Sequence, residues 1–289
     1  SVVERLETLS PALLTVMRFS SQQLSNPFRL PLWVPTPGNH AFRQALKILD
    51  ALIAELIWER RDSRLRRDDL LDKLLYACDP ETGESMDDRQ IRDECLTVFI
   101  AGHETTAVAL AWTWYLLATH PAARGQLQAE VDTVLNGRMP TLKDLPALPY
   151  TRAVFEEAMR LYPPALGVIR KTVEATDLGG FRVPADTLVF VNIANLHRHS
   201  DFWSEPDRFR PERFLPGHPP LGHRLAYMPF GAGPRVCLGN HFAMAEGLLL
   251  LATLAQHYRL ELDVGQQVEP EIVLTLRPKG GLWMRINRR

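Results

Sequence analysis

The stretch Phe230-Gly231-Ala232-Gly233-Pro234-Arg235-Val236-Cys237-Leu238-Gly239 decides how the rest of the chain is read. Three glycines and a proline crowd one cysteine, and an apolar helical run begins directly behind it at Asn240. Glycine permits backbone conformations and close approaches that other residues resist. Such a loop can wrap a sulfur and aim backbone N–H groups at it. A thiolate there gains from the positive end of the following helix and from Arg235, two residues before it. The loop suits a cysteine held as an anion, which could attack a substrate, bind a metal or do neither.

As a nucleophile, Cys237 would need a histidine base. His241 is near in sequence but falls inside the next helix, and no familiar cysteine-enzyme signature surrounds the position. A multi-cysteine zinc site would need a second cysteine nearby, and there is none. A single axial thiolate on a haem iron fits best, because it requires one sulfur, donors around it and a flat apolar pocket.

The composition agrees with a soluble globular protein: 289 residues, 46% hydrophobic and 23% charged. The 33 basic and 34 acidic residues nearly cancel, so no global field points to nucleic acid or an anionic membrane. Cys78, Cys95 and Cys237 are odd in number and far apart, which fits a reducing compartment rather than a disulfide framework. No signal peptide or transmembrane run is visible, so a cytoplasmic location is expected, with an anchor ahead of Ser1 left open.

The pattern predicts mainly helix with a small β part. Residues 2–24 read as a helix broken at Pro11. The proline-rich connector 26–38 reads as a loop packed on the body of the fold, or else as a lid or a lipid-touching surface. Residues 41–61 are helical, with Phe42, Leu46, Leu49, Leu52 and Ile53 on one face. A short helix at 68–77 and a turn at 79–83 follow. A long helix then runs over about 87–119, capped by Ser85 with Asp88 and expected to be buried along most of its length.

The middle of that helix is unusual. Ala101-Gly102-His103-Glu104-Thr105-Thr106 places a glycine, an acid and two hydroxyls where an apolar face is expected. Such a glycine costs about 1 kcal/mol against alanine, and a buried carboxylate needs partners. A ligand against that face would explain both. A zinc-protease helix does not, because Ala107 stands where the second histidine would be required.

Helices at 121–135 and 150–161 come next, the second carrying Glu157 and Arg160 on one face and stopped by Pro163-Pro164. Residues 168–169, 181–183 and 187–193 are β-type runs forming a small sheet. Residues 201–220 read as irregular but well packed, 240–257 as an apolar helix, and 259–285 as short strands.

Four motifs in order resemble the cytochrome P-450 family. The cysteine loop matches F-x-x-G-x-R-x-C-x-G through Phe230, Gly233, Arg235, Cys237 and Gly239. The segment 101–106 looks like the family's oxygen-activating stretch, Glu157-Ala158-Met159-Arg160 is similar to its E-x-x-R, and Pro211-Glu212-Arg213-Phe214 resembles its meander motif. The resemblance implies residues 1–289 are one partial haem-thiolate domain, with the N-terminal third of the family fold lacking. Its cofactor would be haem b (iron protoporphyrin IX), with Cys237 as the metal ligand.

By the same resemblance Phe230 would pack beside the haem, with Gly239 in the same loop, and Arg235 and Arg170 would pair with its propionates. Ala101 and Gly102 would leave room above the iron. Glu104 and Thr105 would relay protons to bound dioxygen, and Glu157, Arg160 and Arg213 would brace the cysteine loop. The implied activity is a monooxygenase using O2, a small hydrophobic substrate and electrons from a separate reductase, ferredoxin or flavodoxin. Apolar Val98, Phe99, Ala101 and Leu166 favour such a substrate. The alternatives are a peroxide-driven peroxygenase on the same fold and a truncated, non-catalytic haem-binding protein.

Overall fold

In the computed structural model, which describes residues 6–26, 28, 30–63, 65–217 and 222–289, the chain divides into two compact units, residues 1–103 and 104–289. The architecture is mainly helical with a small β part, as expected. The division falls inside one continuous helix.

In the first unit, α1 (Leu6–Ser25) packs along α2 (Pro37–Ser63). Residues 2–5 of the expected first helix lie outside the described residues. Contrary to expectation, α1 runs through Pro11 without a break. A proline inside a helix costs ~3 kcal/mol. Here Leu9, Ala12, Leu13 and Val16 on either side of it are buried against Ala45, Leu49 and Leu52 of α2, and that packing holds the helix together. α2 starts earlier than its apolar pattern suggests because Pro37 is suited to a first helical turn.

The connector before α2 is not packed down. Phe28, Leu30, Leu32 and Trp33 are exposed, while Asn39 Nδ2 donates to the carbonyls of Pro31 and Val34, both at 2.9 Å. Pro27 and Arg29 of this connector are outside the described residues. The short helix α3 (Leu70–Leu75) is capped by Asp69 and held against α2 by Arg60, which reaches Asp69 and Asp72 at 2.6 Å.

The long helix α4 (Asp88–Thr119) is capped by Asp87 and Gln90, not by Ser85 and Asp88. The Gln90 N–H donates to Asp87 Oδ1 at 2.7 Å, and the Asp87 N–H donates to Gln90 Oε1 at 3.0 Å. The acid–amide pair spaced by three residues is the reciprocal arrangement that satisfies two free N–H groups. Nor is α4 buried along most of its length: only 22% of its most apolar window is buried, and Ala101, Gly102, His103 and Ala107 are exposed. By length and composition α4 is long and apolar enough to cross a membrane, a property it shares with core helices of soluble proteins. Its second half is instead bonded into the second unit, where Trp112 Nε1 donates to the Leu276 carbonyl at 2.7 Å.

The second unit is built around the end of α4, α5 (Pro121–Leu135), α6 (Pro149–Leu161) and α8 (Asn240–His257). Leu117, Leu127, Val131, Val154, Phe155, Leu248 and Leu251 form its core. A four-residue helix, α7 (Ile193–Leu196), follows the first strands. The small sheet expected over 168–193 is two separate antiparallel ribbons, and the short strands expected after 259 form two more, each of two strands, among the described residues. β1 (Gly167–Lys171) pairs with β4 (Leu188–Asn192), and β2 (Thr176–Leu178) pairs with β3 (Phe181–Val183). β5 (Tyr258–Leu262) pairs with β8 (Met284–Arg288), and β6 (Pro270–Val273) pairs with β7 (Thr275–Pro278). Residues 201–217 are irregular around buried Trp203 and Phe209, and residues 218–220 of that expected segment are outside the described residues.

Candidate functional site: a cysteine loop and its brace

Chain geometry gives the cysteine loop its shape. Gly231 and Gly233 take φ of 74° and 76°, a region where a side chain is strained. Residues Gly233–Arg235 form one 3-10 turn, closed by the Val236 N–H donating to the Gly233 carbonyl at 3.0 Å. The Cys237 N–H returns to the Phe230 carbonyl at 2.9 Å, so the loop closes on itself and presents the sulfur outward. Gly239 lies beside that sulfur; a Cβ there would sit 3.9 Å from Sγ. Among the described residues no backbone N–H donates to Sγ, contrary to the expectation for this loop. The Cys237 amide is used instead to close the loop.

The residues that flank the cysteine in the chain are apolar and exposed. Cys237 is exposed, as are Val236, Leu238 (88%) and Phe242 (70%), while Phe230 is half-buried against the core. Arg235 is exposed and makes no ion pair among the described residues; Arg170 on β1 is exposed and only its own neighbour's carbonyl, Ile169, accepts from it at 2.9 Å. One soft sulfur, apolar flanking residues and two guanidinium groups without carboxylate partners among the described residues form a donor set that fits a haem with its thiolate ligand and propionates.

Behind the loop lies a buried brace. Arg160 on α6 is fully buried and uses all five N–H donors. Nε and Nη2 grip Glu157 at 2.7 and 2.8 Å; Nη1 donates to the carbonyls of His197 and Pro206, and Nη2 also to that of Arg208. Glu157 Oε1 further accepts from the Arg210 N–H at 2.9 Å and from Arg213 Nε at 3.3 Å. Burial pulls the Arg213 guanidinium below its usual value, with the Glu157 charge opposing. The structure therefore brings together Glu157, Arg160 and Arg213.

Sequence reasoning missed His197, which joins this brace to the loop. It sits just after α7, fully buried, with its ring stacked 5.2 Å from that of Tyr227. Its carbonyl accepts from Arg160, and its ring Nε2 accepts the Met228 N–H at 2.9 Å. The Met228 carbonyl in turn accepts the Gly231 N–H at 2.9 Å. Nδ1 lies near the carbonyls of Met159 and Arg160 but meets no partner in hydrogen-bond geometry among the described residues. Burial, and then the nearby Arg160 charge, push the imidazole down to about 4. It is neutral at pH 7, with its proton on Nδ1. The only sequence signal was a histidine beside Arg198 in an otherwise irregular stretch.

On α4, Glu104 is buried and Thr105 half-buried. Glu104 Oε1 accepts from Thr275 Oγ1 at 2.9 Å, and Oε2 is buried without a partner among the described residues. Thr275 was not singled out from sequence, because 171 positions separate the two. Ala101 and Gly102 lie one turn earlier on α4, and a Cβ on Gly102 would meet nothing within 4 Å.

A family model described as cytochrome P450 matches residues 2–284. The chain belongs to the cytochrome P450 family. Among curated proteins, it is 43% identical over 227 residues to cyclooctat-9-en-7-ol 5-monooxygenase of Streptomyces melanosporofaciens, covering 78% of this chain and 50% of that protein. It is 38% identical over 256 residues to pentalenene oxygenase of Streptomyces avermitilis, covering 89% and 57%. A crystal structure of the cytochrome P450DA heme domain superposes with a TM-score of 0.88 at 32% identity, covering 97% of this chain and 61% of the other. The chain thus spans about half the length of the curated P450 relatives it matches.

Proposed function

We propose that this P450 chain is part of a haem-dependent monooxygenase that inserts one atom of O2 into a hydrophobic substrate. Residues 1–289 are read as one haem-thiolate domain, supported by a family match spanning both compact units. The observation that carries the reading is the exposed Cys237 in a self-closed loop with apolar flanking residues, held by the Glu157–Arg160–Arg213 brace. Haem, when bound, supplies the oxygen-activating chemistry. Cys237 would ligate its iron. Arg235 and Arg170 would bind the propionates, and Phe230, Leu238 and Phe242 would cover the adjoining apolar surface.

Glu104 and Thr105 would hold and move the protons that the reaction consumes, and Ala101 and Gly102 would keep the helix face beside them low. Two electrons are required, and an external reductase, ferredoxin or flavodoxin is proposed as their source. The names of the relatives favour a cyclic alkene or alkenol as substrate. The three free cysteines favour a cytoplasmic setting.

A carbon-monoxide difference spectrum of the haem-reconstituted chain tests the reading. A thiolate-type Soret band that disappears in Cys237→Ala is expected. Its survival in the variant would overturn the ligand, and its absence in the parent chain would overturn the cofactor.

A further inference from the structure

We propose that Thr275 is a positioning residue for Glu104: it holds one carboxyl oxygen so that the other stays available to take up and release a proton. The inference deepens the monooxygenase reading above and rests on it. The contact lies wholly within the second unit and is buried on both sides, with Thr275 5% and Glu104 9% exposed. Thr275 Oγ1 donates to Oε1 at 2.9 Å, and Oε2 has no partner among the described residues. A carboxylate in that setting would otherwise swing between rotamers or turn toward water, because a buried charge without partners is costly. One fixed hydrogen bond removes that freedom and decides which oxygen is free.

Three further features single the contact out from ordinary packing. Leu274, the residue before Thr275, takes a φ of 59°, a left-handed conformation that is strained for a residue with a side chain. It lies at the turn between β6 and β7, and Thr275 follows it directly as the first residue of β7. The hairpin is then fixed to its surroundings on the next residue: the Leu276 carbonyl accepts from Trp112 Nε1 at 2.7 Å, and the Leu276 N–H donates to the Pro164 carbonyl at 3.0 Å. Trp112, two turns along α4 from Glu104, is itself stacked on Tyr162 at 4.0 Å. The hydroxyl is therefore carried on a clamped strand and reaches the acid from a different element. Strain retained at such a place is what a positioning role would require.

Thr275→Val removes the donor with little change of shape, and Thr275→Ser restores it. In the haem-reconstituted chain, Thr275→Val is expected to lower product formed per O2 consumed at least tenfold (~1.4 kcal/mol), with the balance appearing as peroxide. Thr275→Ser is expected to recover most of the loss. A second readout needs no turnover. The carboxyl infrared band identified as that of Glu104 by its loss in Glu104→Gln is expected to shift in Thr275→Val and to return in Thr275→Ser. Unchanged coupling and an unchanged band in Thr275→Val would overturn the proposal. So would a lowered melting temperature with coupling intact, which is the signature of packing alone. If the chain takes up no haem, the monooxygenase reading fails while the infrared comparison still decides the contact.

Discussion

Lowering the pH should weaken the brace of this P450 chain through one residue, His197. Its ring accepts the Met228 N–H through Nε2, and protonation would set two donors against each other. The folded state holds the imidazole at about 4 against an ordinary value of 6.5. For a group depressed on folding, stability is present in full above the unfolded value and falls as pH drops from about 6.5 toward 4. A gap of about 2.5 units corresponds to about 3 kcal/mol in all, of which about 2 kcal/mol is lost between pH 6.5 and 4.5. Glu157, Glu156, Arg160 and Tyr227 also face this region, so a single pH profile would mix their effects. His197→Gln separates them, because its Oε1 can accept the Met228 N–H and cannot titrate. Urea unfolding at pH 7.5, 6.5, 5.5 and 4.5 should lose about 2 kcal/mol more in the parent chain than in the variant across the lower range. Parallel profiles would refute the assignment of His197 as the neutral link.

Three other substitutions follow from the same structure. Arg160→Lys keeps the charge but cannot fill five directed bonds, and it should cost on the order of 3–5 kcal/mol in urea unfolding. Gly247→Ala would push a methyl into the fully buried Phe155 ring, so a loss of about 1–3 kcal/mol and a lowered melting temperature are expected. Asp87→Ala removes the acceptor at the start of α4 and should cost about 1 kcal/mol, whereas Ser85→Ala should cost little; equal effects of the two would put the cap back at Ser85.

Signals local in sequence were read well. The expected bounds of α5 match because Pro121 marks its first turn, and those of α8 because the glycine-rich loop ends where its apolar run begins. Glu157 and Arg160, three apart on one helix, already suggested a pair. The cap of α4 and the start of α2 turn on local residues, Asp87 with Gln90 and Pro37, but the other errors share a cause in packing between distant segments. Pro11 reads as a break in sequence because the compensating face of α2 cannot be seen in α1. α4 reads as buried in sequence because its apolar residues run nearly continuously, and nothing in the run tells which of them meet a neighbour. His197 and Thr275 were invisible because their partners, Met228 and Glu104, lie 31 and 171 positions away.

The ribbons carry a consequence for handling the protein. Each of the four is only two strands wide, so among the described residues each strand has one edge that no other strand pairs; on β7 that edge is occupied at Leu276 by Pro164 and Trp112. β1 and β4 together carry exposed Ile169, Leu188, Phe190 and Val191. Open edges with apolar side chains recruit further strands, from another copy as readily as from elsewhere. Here the strands are three to five residues long, which keeps each pairing weak. Self-association of the chain should therefore rise steeply with concentration, and a lysine placed at Phe190 should suppress it.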